Sequence, residues 1–268
     1  MPESIGIIAG AGQFPRMVAQ GARDAGLVPV ICGFHGHTDP ELGNEAAAFS
    51  LFHLGQFGGV TRFFREHGVR RLCFAGAISK PKALNLRPDW LAVKIIFSLR
   101  DKGDDALLRA IIKGLEQEGF SVLGAADLVP DLLCPAGVLT RRAPTPEEEN
   151  TIKYGWPIAQ AMGRYDIGQS IVVKKNMVVA VECLEGTDAT LIRGGELGGE
   201  GCTAIKVCKP DQDTRVDLPA FGLNTIRLLA RYKYRCLAVS ADKALFFDRS
   251  AALAEADAHG IVVVAIAE

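Results

Sequence analysis

The sequence predicts an α/β protein of two domains, a parallel-sheet domain over residues 1–131 and a second α/β domain over residues 132–268. In the first half, short apolar strands alternate with helical patterns, an arrangement typical of βαβ units and a parallel sheet. These strands are apolar throughout, which indicates that helices cover both faces of the sheet. A change of composition near Pro130 and the proline- and glutamate-rich stretch 141–149 place the boundary between the domains.

The individual elements follow from apolar runs and from the positions of glycine and proline. In the first domain we predict strands at 5–9, 28–34, 71–75 and 120–124, and helices at 14–25, 58–67, 89–100 and 105–118. In the second we predict strands at 170–173, 177–183, 203–208, 237–239, 244–247 and 261–266, and helices that begin near Pro146, Ile226 and Ser250. Residues 174–176 predict a hairpin turn, and 194–201 predict a glycine-rich connection. Asn224 and Thr225 are the predicted caps of the helix from Ile226.

Length, charge and cysteine content narrow the class of protein. The chain has 268 residues, of which 49% are apolar, enough for extensive cores. A net charge of −1 gives no nonspecific attraction to nucleic acid, so we expect no nucleic-acid partner. The seven cysteines form no C-x-x-C pair, which favours buried thiols in a reducing cytosol. Without a signal-peptide pattern or an apolar run near ~20 residues, we expect a cytoplasmic protein, at most attached to a membrane surface.

The loop after the first strand, Gly10-Ala11-Gly12-Gln13, opens a helix and is a candidate phosphate-binding loop. Glycine lets the backbone approach a phosphate closely, and a helix N-terminus supplies unpaired N–H groups. Pro15 stands where the third glycine of the dinucleotide fingerprint belongs, and the second strand ends at Phe34 without the acid that would hold a ribose. The pattern therefore disfavours nicotinamide binding and favours a nucleotide or phosphate contact over a purely structural turn.

A second candidate lies at Ala75-Gly76, followed by Ser79 and Lys80. It would lie beside the first loop at the carboxyl edge of the sheet, where open α/β folds bind ligands. Ser79 and Lys80 suit a phosphate or a sugar, and an ordinary strand-to-helix connection explains them equally well. Asp104 and Asp105 precede a helix, so an N-cap is the expected role of at least one of them.

In the second domain, the loops at both ends of the predicted hairpin carry polar groups. Gln169 leads into the hairpin, and Glu185, Thr187 and Asp188 follow it around Gly186. Carboxylates beside glycine can bind a hard cation such as Mg²⁺. The same residue types are common in ordinary turns, so a solvent-exposed turn without a bound ion remains an alternative.

The segment from Gln212 to Gly222 reads Q-D-x-R-x-D-x-P-x-x-G and is the most informative stretch of the chain. Asp213 and Asp217 flank Arg215, and the segment follows an apolar strand. A charged loop between two apolar elements is where a scaffold usually holds reactive groups. A surface ion-pair turn would give the same composition.

Taken together, these segments resemble the LpxI-type UDP-2,3-diacylglucosamine pyrophosphatases of lipid A biosynthesis. The resemblance runs along nearly the whole chain. It is carried by an ordered set of motifs: A-G-x-G at 9–12, F-A-G at 74–76, K-G-D-D-A-L-L-R at 102–109, D-I-G-Q at 166–169, E-G-T-D-A at 185–189, and the run 209–222. It implies an N-terminal Rossmann-like domain, a second family-specific α/β domain, and hydrolysis of the substrate's pyrophosphate to 2,3-diacylglucosamine 1-phosphate (lipid X) and UMP.

The resemblance also implies roles for residues. The family requires a divalent cation, usually Mg²⁺, and its essential aspartate falls on Asp217, with Asp213 at a further acidic position. We therefore expect catalysis from Asp217, Asp213 and Arg215, metal contacts from the two aspartates, and water attack on the β-phosphorus. Substrate contacts are expected from Gly10, Gly12, Gln13, Ala75, Gly76, Ser79, Asp104, Gln169, Glu185, Thr187 and Asp188. A nucleotide-binding regulatory protein without catalysis and a dinucleotide-dependent oxidoreductase remain as alternatives, the latter disfavoured by Pro15.

The segment 90–99 is apolar almost all round and is flanked by basic residues. A helix of that kind is normally buried in a core. Since the implied substrate carries two acyl chains, the alternative is that Trp90 and Phe97 line an acyl chamber or touch the inner membrane, where basic flanks meet anionic headgroups.

Overall fold

The computed structural model describes residues 2–78, 87–97, 104–210 and 212–267, without the side chains of residues 94–97, 104 and 105. The chain divides into two compact units, Met1–Pro130 with Asp213–Val216, and Asp131–Gln212 with Asp217–Glu268. The predicted α/β class is confirmed, because one unit holds a parallel sheet and the other a mixed sheet. Within these ranges, no helix is both long enough and apolar enough to cross a membrane.

The first unit contains a five-stranded parallel sheet. Its strands are β1 (Ser4–Ala9), β2 (Val28–Phe34), β3 (Ala48–Phe52), β4 (Arg71–Ala75) and β5 (Ser121–Leu123). Its described helices are α1 (Phe14–Asp24), α2 (Phe57–Glu66), α3 (Trp90–Phe97) and α4 (Asp104–Gln117), with short 3-10 helices at Pro40–Glu45, Ala125–Leu128 and Pro130–Leu132. The strand order β3-β2-β1-β4-β5 matches the 3-2-1-4-5 part of the doubly wound order that binds dinucleotides.

Helices pack on both faces of this sheet, as the uniformly apolar strands predict. On one face, Ile7 of β1 packs in a cluster with Val18 of α1. On the other face, Phe64 of α2 and Leu115 of α4 share a cluster. Strand β3 is absent from the predicted strands. It lies at the edge of the sheet, where its residues are only half-buried, so it does not form a continuous apolar run.

The second unit contains a six-stranded sheet in the order β6-β13-β11-β9-β7-β8. Its strands are β6 (Gly137–Val138), β7 (Ser170–Lys174), β8 (Met177–Val181), β9 (Thr203–Lys206), β11 (Cys236–Ser240) and β13 (Val262–Ile266), while β10 (Ala220–Phe221) pairs separately with β12 (Leu245–Phe246). Its described helices are α5 (Pro146–Arg164), α6 (Thr187–Gly198), α7 (Leu223–Arg231) and α8 (Arg249–Ala258). Strands β9, β11 and β13 are parallel, and β7 runs antiparallel to β8 and β9. The start of β7 therefore lies at the same edge as the ends of β8 and β9.

Several local predictions are confirmed. Lys175 and Asn176 both have positive φ, as a type I′ turn requires, and they join β7 and β8 into the predicted hairpin. Helix α5 begins at Pro146 behind a capping box in which Thr145 and Glu148 bond each other's backbone N–H groups. Six of the seven cysteines are buried free thiols, and Cys183 is exposed.

Two local predictions are wrong. The predicted glycine-rich connection at 194–201 is mostly helical, because α6 continues to Gly198. A Cβ on Gly194 would lie 2.4 Å from Val172 Cγ2, and one on Gly195 would lie 2.6 Å from Tyr232 Cβ. Close packing thus overrides the low helix propensity of glycine. Residues 224 and 225 do not cap α7 either, since the helix begins at Leu223 behind Gly222 and both fall inside its first turn.

Candidate functional site

In the first unit, the loops after β1 and β4 pack backbone against backbone. Ala11 and Ala77 form an antiparallel bridge, and the N–H of Gly10 donates to the carbonyl of Ala75 over 2.7 Å. A Cβ on Gly10 would lie 2.4 Å from the carbonyl oxygen of Ala77, and one on Gly76 would lie 2.6 Å from that of Ala11. This close approach requires glycine at both positions for structural reasons alone.

The same contacts determine which N–H groups of the first loop can meet a phosphate. The N–H groups of Gly10 and Ala11 already donate to carbonyls of the β4 loop. Those of Gly12 and Gln13 have no acceptor within the described ranges, and a Cβ on Gly12 (φ +90°) would meet nothing within 4 Å. Helix α1 starts directly behind them. The part of this loop that is open to an anion is therefore Gly12 and Gln13.

Two predicted contacts of this unit cannot be placed. Ser79, with its neighbour Lys80, lies outside the described residues. Asp104 is the first residue of α4, and its side chain lies outside them as well.

In the second unit, four polar side chains meet at the sheet edge where β9 ends. We call Ser170, Glu182, Thr187 and Lys206 the Lys206 cluster. Lys206 Nζ donates to Thr187 Oγ1 over 3.2 Å, and the Thr187 hydroxyl donates to Glu182 Oε1 over 3.0 Å. Ser170 Oγ lies 3.5 Å from Thr187 Oγ1. The sheet register brings these side chains together. Ser170 pairs with Lys206, and the backbone carbonyl of Ser170 accepts from the N–H of Glu182.

The Lys206 cluster is buried and charged. Lys206 is 8% exposed and Glu182 is 7% exposed. Burial lowers the pKa of the Lys206 ammonium, and the carboxylates of Glu182, Asp188 and Asp217 act in the opposite direction. Glu182 Oε2 is buried and has no hydrogen-bond partner among the described residues. A buried carboxylate oxygen without a donor is suited to a cation.

Asp217 lies in the loop after β9, and its carboxylate is held by the side chain of Gln212 in the same loop. Gln212 is buried, and its Nε2 donates to Asp217 Oδ2 over 2.5 Å. Its Oε1 accepts from the backbone N–H of Lys209 over 3.0 Å. The amide is therefore fixed from both ends, and it fixes the carboxylate in turn.

Asp213 has a different environment. Both of its carboxylate oxygens accept from the Arg215 guanidinium, at 2.9 Å from Nε and 2.7 Å from Nη2. These hydrogen bonds hold the pKa of Asp213 below its ordinary value, although partial burial opposes them. Asp213–Val216 belong to the first unit, where Arg215 also bonds Glu116 over 3.0 Å. In this arrangement, Asp213 and Arg215 compensate each other's charge.

The remaining predicted residues of the second unit divide into two groups. Thr187 lies at the centre of the Lys206 cluster, and Asp188 acts on Lys206 through its charge. Glu185 lies outside the cluster and accepts a hydrogen bond from Arg193 over 2.5 Å. Hydrogen bonds from backbone N–H groups, first of all its own, and from Arg193 lower the pKa of Glu185. Gln169 precedes β7, and strand alternation places it on the opposite face from Ser170. Its Oε1 is buried without a partner in the described ranges.

Four residues of this arrangement are absent from the predicted set. Ser170, Glu182 and Lys206 lie within predicted strands that are otherwise apolar, and Gln212 is identified only as the first residue of a motif. The one local signal for Lys206 is a lysine at the carboxyl end of a strand that is otherwise apolar.

Comparison with known proteins extends these observations to the whole chain. Residues 4–132 match the LpxI N-terminal domain, and residues 135–264 match the LpxI C-terminal domain. The chain is 36% identical over 274 residues to the UDP-2,3-diacylglucosamine pyrophosphatase LpxI of Caulobacter vibrioides, covering 98% of this chain and 97% of that protein.

Solved structures are more distant. A leucoanthocyanidin reductase–NADPH complex from Vitis vinifera is 15% identical with a TM-score of 0.28, covering 58% of this chain and 44% of that one. An ADP complex of N5-carboxyaminoimidazole ribonucleotide synthetase is 13% identical with a TM-score of 0.29, covering 70% and 40%. This chain thus spans less than half the length of either, and similarities this low do not indicate a shared function.

The resemblance predicted from the ordered motifs is confirmed by two domain matches and by one full-length relative. The chain belongs to the LpxI family.

Proposed function

We propose that this chain is a UDP-2,3-diacylglucosamine pyrophosphatase of lipid A biosynthesis that acts in the cytoplasm. The observation that carries the proposal is the 36% identity to the Caulobacter vibrioides protein over 98% of this chain. Because this similarity spans both units, it includes the segments that carry the candidate residues and is not limited to the fold of one domain. The reaction we assign is hydrolysis to lipid X and UMP by water attack on the β-phosphorus.

We assign the chemical step to Asp217. Its Oδ2 is held by the buried amide of Gln212, so the carboxylate has a defined orientation. A positioned carboxylate can accept a proton from a water molecule or orient it toward phosphorus. Asp213 is assigned a supporting role, because Arg215 already pairs with both of its oxygens.

The donor chemistry of the second unit supports a magnesium ion. Among the described residues, no group of three or more His, Cys, Asp or Glu side chains is arranged to enclose a metal. Mg²⁺ does not need such a cage, because it usually takes one or two carboxylates together with waters and substrate phosphates. We propose that Asp217 and the unpartnered oxygen of Glu182 would hold it. Asp213, the other aspartate expected to contact the metal, is a weaker candidate because both of its oxygens already pair with Arg215. When bound, the ion would neutralise phosphate oxygens.

We also propose a peripheral contact with the inner membrane through α3. Trp90, at the start of this apolar helix, is 83% exposed, whereas Ala92 is buried. An exposed tryptophan suits the interface between headgroups and acyl chains. Phe97, the other residue predicted to meet lipid, has its side chain outside the described residues.

The decisive experiment is hydrolysis of UDP-2,3-diacylglucosamine in ¹⁸O-labelled water by the purified chain. With Mg²⁺ present, we expect UMP and lipid X in equal amounts, with the label in the lipid X phosphate and none in UMP. EDTA should abolish the reaction, and the Asp217→Ala variant is the matched control for contaminating hydrolases. Nucleotide binding without product formation under any divalent cation would favour the regulatory alternative, and label in UMP would contradict attack at the β-phosphorus.

A further inference from the structure

Lys206 connects two segments of the second unit that no strand pairing joins. Its Nζ donates to Thr187 Oγ1 over 3.2 Å and to the carbonyl of Ala220 over 2.8 Å. Thr187 is the first residue of α6, and Ala220 is the first residue of β10, directly after the loop that carries Asp217. One ammonium therefore bonds both the start of a helix and the loop that carries Asp217.

The burial of this ammonium requires an explanation beyond packing. Lys206 is 8% exposed, while its strand neighbours Ile205 and Val207 are apolar and fully buried. Taking an ammonium out of water is strongly unfavourable unless polar partners compensate. An apolar side chain would fill the end of β9 without that penalty. The charge therefore serves a purpose that an apolar side chain cannot serve.

The hydrogen-bond directions show what the ammonium does. A lysine has three N–H donors and no acceptor, so both of its partners must accept. The Thr187 hydroxyl, having accepted from Lys206, donates to Glu182 Oε1. The carboxylates of Glu182 and Asp217 also favour the charged form of Lys206. Two loops that bear carboxylates are thus attached to one buried cation.

We infer that Lys206 is a positioning residue, whose ammonium ties the Asp217 loop to the start of α6 and so fixes the place of Asp217. It acts through Asp217 and not on the substrate. The kinetic consequence of this inference rests on the proposed function, whereas the structural tie can be measured without substrate.

The test is Lys206→Met, which removes the ammonium and keeps a side chain of similar shape. We expect kcat to fall about 10- to 100-fold, the range that loss of charge-assisted hydrogen bonds produces, with KM changed less than about threefold. Amide hydrogen exchange over residues 217–222 should become at least about tenfold faster, because this segment loses its attachment to Lys206 of β9. A rise in KM with unchanged kcat and unchanged exchange would show that Lys206 binds substrate, which overturns the inference.

The matched control is Lys174→Met. Lys174 lies at the far end of β7, and its Nζ donates to the carbonyl of Gly198 at the other end of α6. The same chemical change there should leave both kcat and exchange over residues 217–222 as in the wild type. Equal changes of kcat and of exchange in the two variants would show that Lys206 only stabilises α6, which would overturn the inference.

Two further measurements keep the inference testable. If Lys206→Met does not fold, Thr187→Val removes one arm of the tie while the lysine stays, and it should lower kcat and speed exchange at residues 187–190. Unchanged values in that folded variant would contradict the inference. If the wild type releases no UMP, the proposed function fails, while faster exchange in Lys206→Met would still demonstrate the tie.

Discussion

The side-chain amide of Gln212 bridges the Asp217 carboxylate and the backbone N–H of Lys209, over 2.5 Å and 3.0 Å. Because Gln212 is buried, neither bond is exchanged readily for water. The carboxylate that we assign to the chemical step is therefore oriented by a residue that does not itself react.

Replacing Gln212 with Ala removes both bonds. The Lys209 N–H loses an acceptor, so we expect the free energy of unfolding to fall by about 1–3 kcal/mol. The Asp217 carboxylate gains freedom, so kcat should fall about tenfold or more with little change in KM. Steady-state UMP release and urea denaturation would measure the two effects. Gln212→Glu keeps an acceptor for Lys209 but replaces the donor to Asp217 with a second carboxylate, so it should restore neither the orientation of Asp217 nor the activity. Full activity in Gln212→Ala would contradict the orienting role.

Replacing Asp217 with Ala should abolish turnover while substrate binding survives. A group used only in the transition state affects kcat far more than binding, so we expect a loss of several orders of magnitude. UMP release and calorimetric titration of substrate would check this. Asp217→Asn retains an acceptor for Gln212 and separates loss of charge from loss of position. Asp213→Ala should cost much less activity. Near-normal turnover in a folded Asp217→Ala protein would remove Asp217 from the mechanism.

Gly10 and Gly12 should respond differently to alanine. A Cβ on Gly10 meets a backbone oxygen at 2.4 Å, so Gly10→Ala should lower the free energy of unfolding by about 1–3 kcal/mol. Gly12 has open space around it but φ of +90°, so Gly12→Ala should cost about 1–2 kcal/mol of backbone strain and raise KM by narrowing the approach to a phosphate. Thermal denaturation and KM for the UDP substrate distinguish these effects. An unchanged KM in Gly12→Ala would leave this loop a purely structural turn.

The Asp213–Arg215 pair predicts a specific dependence of stability on pH. Hydrogen bonds from Arg215 lower the pKa of Asp213, so this carboxylate stabilises the fold above its unfolded pKa of about 3.9 and loses that contribution as pH falls through the folded pKa. Arg215 is 41% exposed, so screening by water keeps the contribution below about 1 kcal/mol. Urea denaturation should show the wild type more stable than Asp213→Asn near about pH 6, with the difference shrinking toward about pH 2. A difference that does not change with pH would show that the carboxylate charge is irrelevant.

The membrane proposal predicts a role for Trp90 that is separate from stability. Because this side chain is 83% exposed, Trp90→Ser should leave the melting temperature nearly unchanged. If the ring enters a lipid interface, binding to vesicles with anionic headgroups should weaken severalfold. Sedimentation with vesicles would measure this, and Tyr165→Ser, which alters another exposed aromatic residue (79%), is the control. Equal vesicle binding by the wild type and Trp90→Ser would place any lipid contact elsewhere.

Features that are determined by neighbouring residues can be predicted from the sequence, whereas features that depend on distant residues cannot. The bounds of β2 and β4 agree with the prediction because buried parallel strands are continuous apolar runs between turn residues. The helical course through Gly194 escapes prediction because its partner, Val172, lies on another element. The candidate site follows the same rule. Asp217 can be identified from a local motif, whereas the meeting of Lys206 with Ser170 depends on the register of β7 against β9. No short-range pattern encodes that register.

The bridge between Ala11 and Ala77 has a consequence for the kinetics of the first unit. It joins loops that β2, β3 and α2 separate in the sequence, and it can close only after β1 and β4 have paired in register. We therefore expect closure to come late in folding, once the entropy of a long intervening chain has been lost. Weakening a contact that forms so late accelerates unfolding and leaves the refolding rate almost unchanged. We therefore expect the lifetime of the folded unit to depend in part on the loop that carries Gly12 and Gln13.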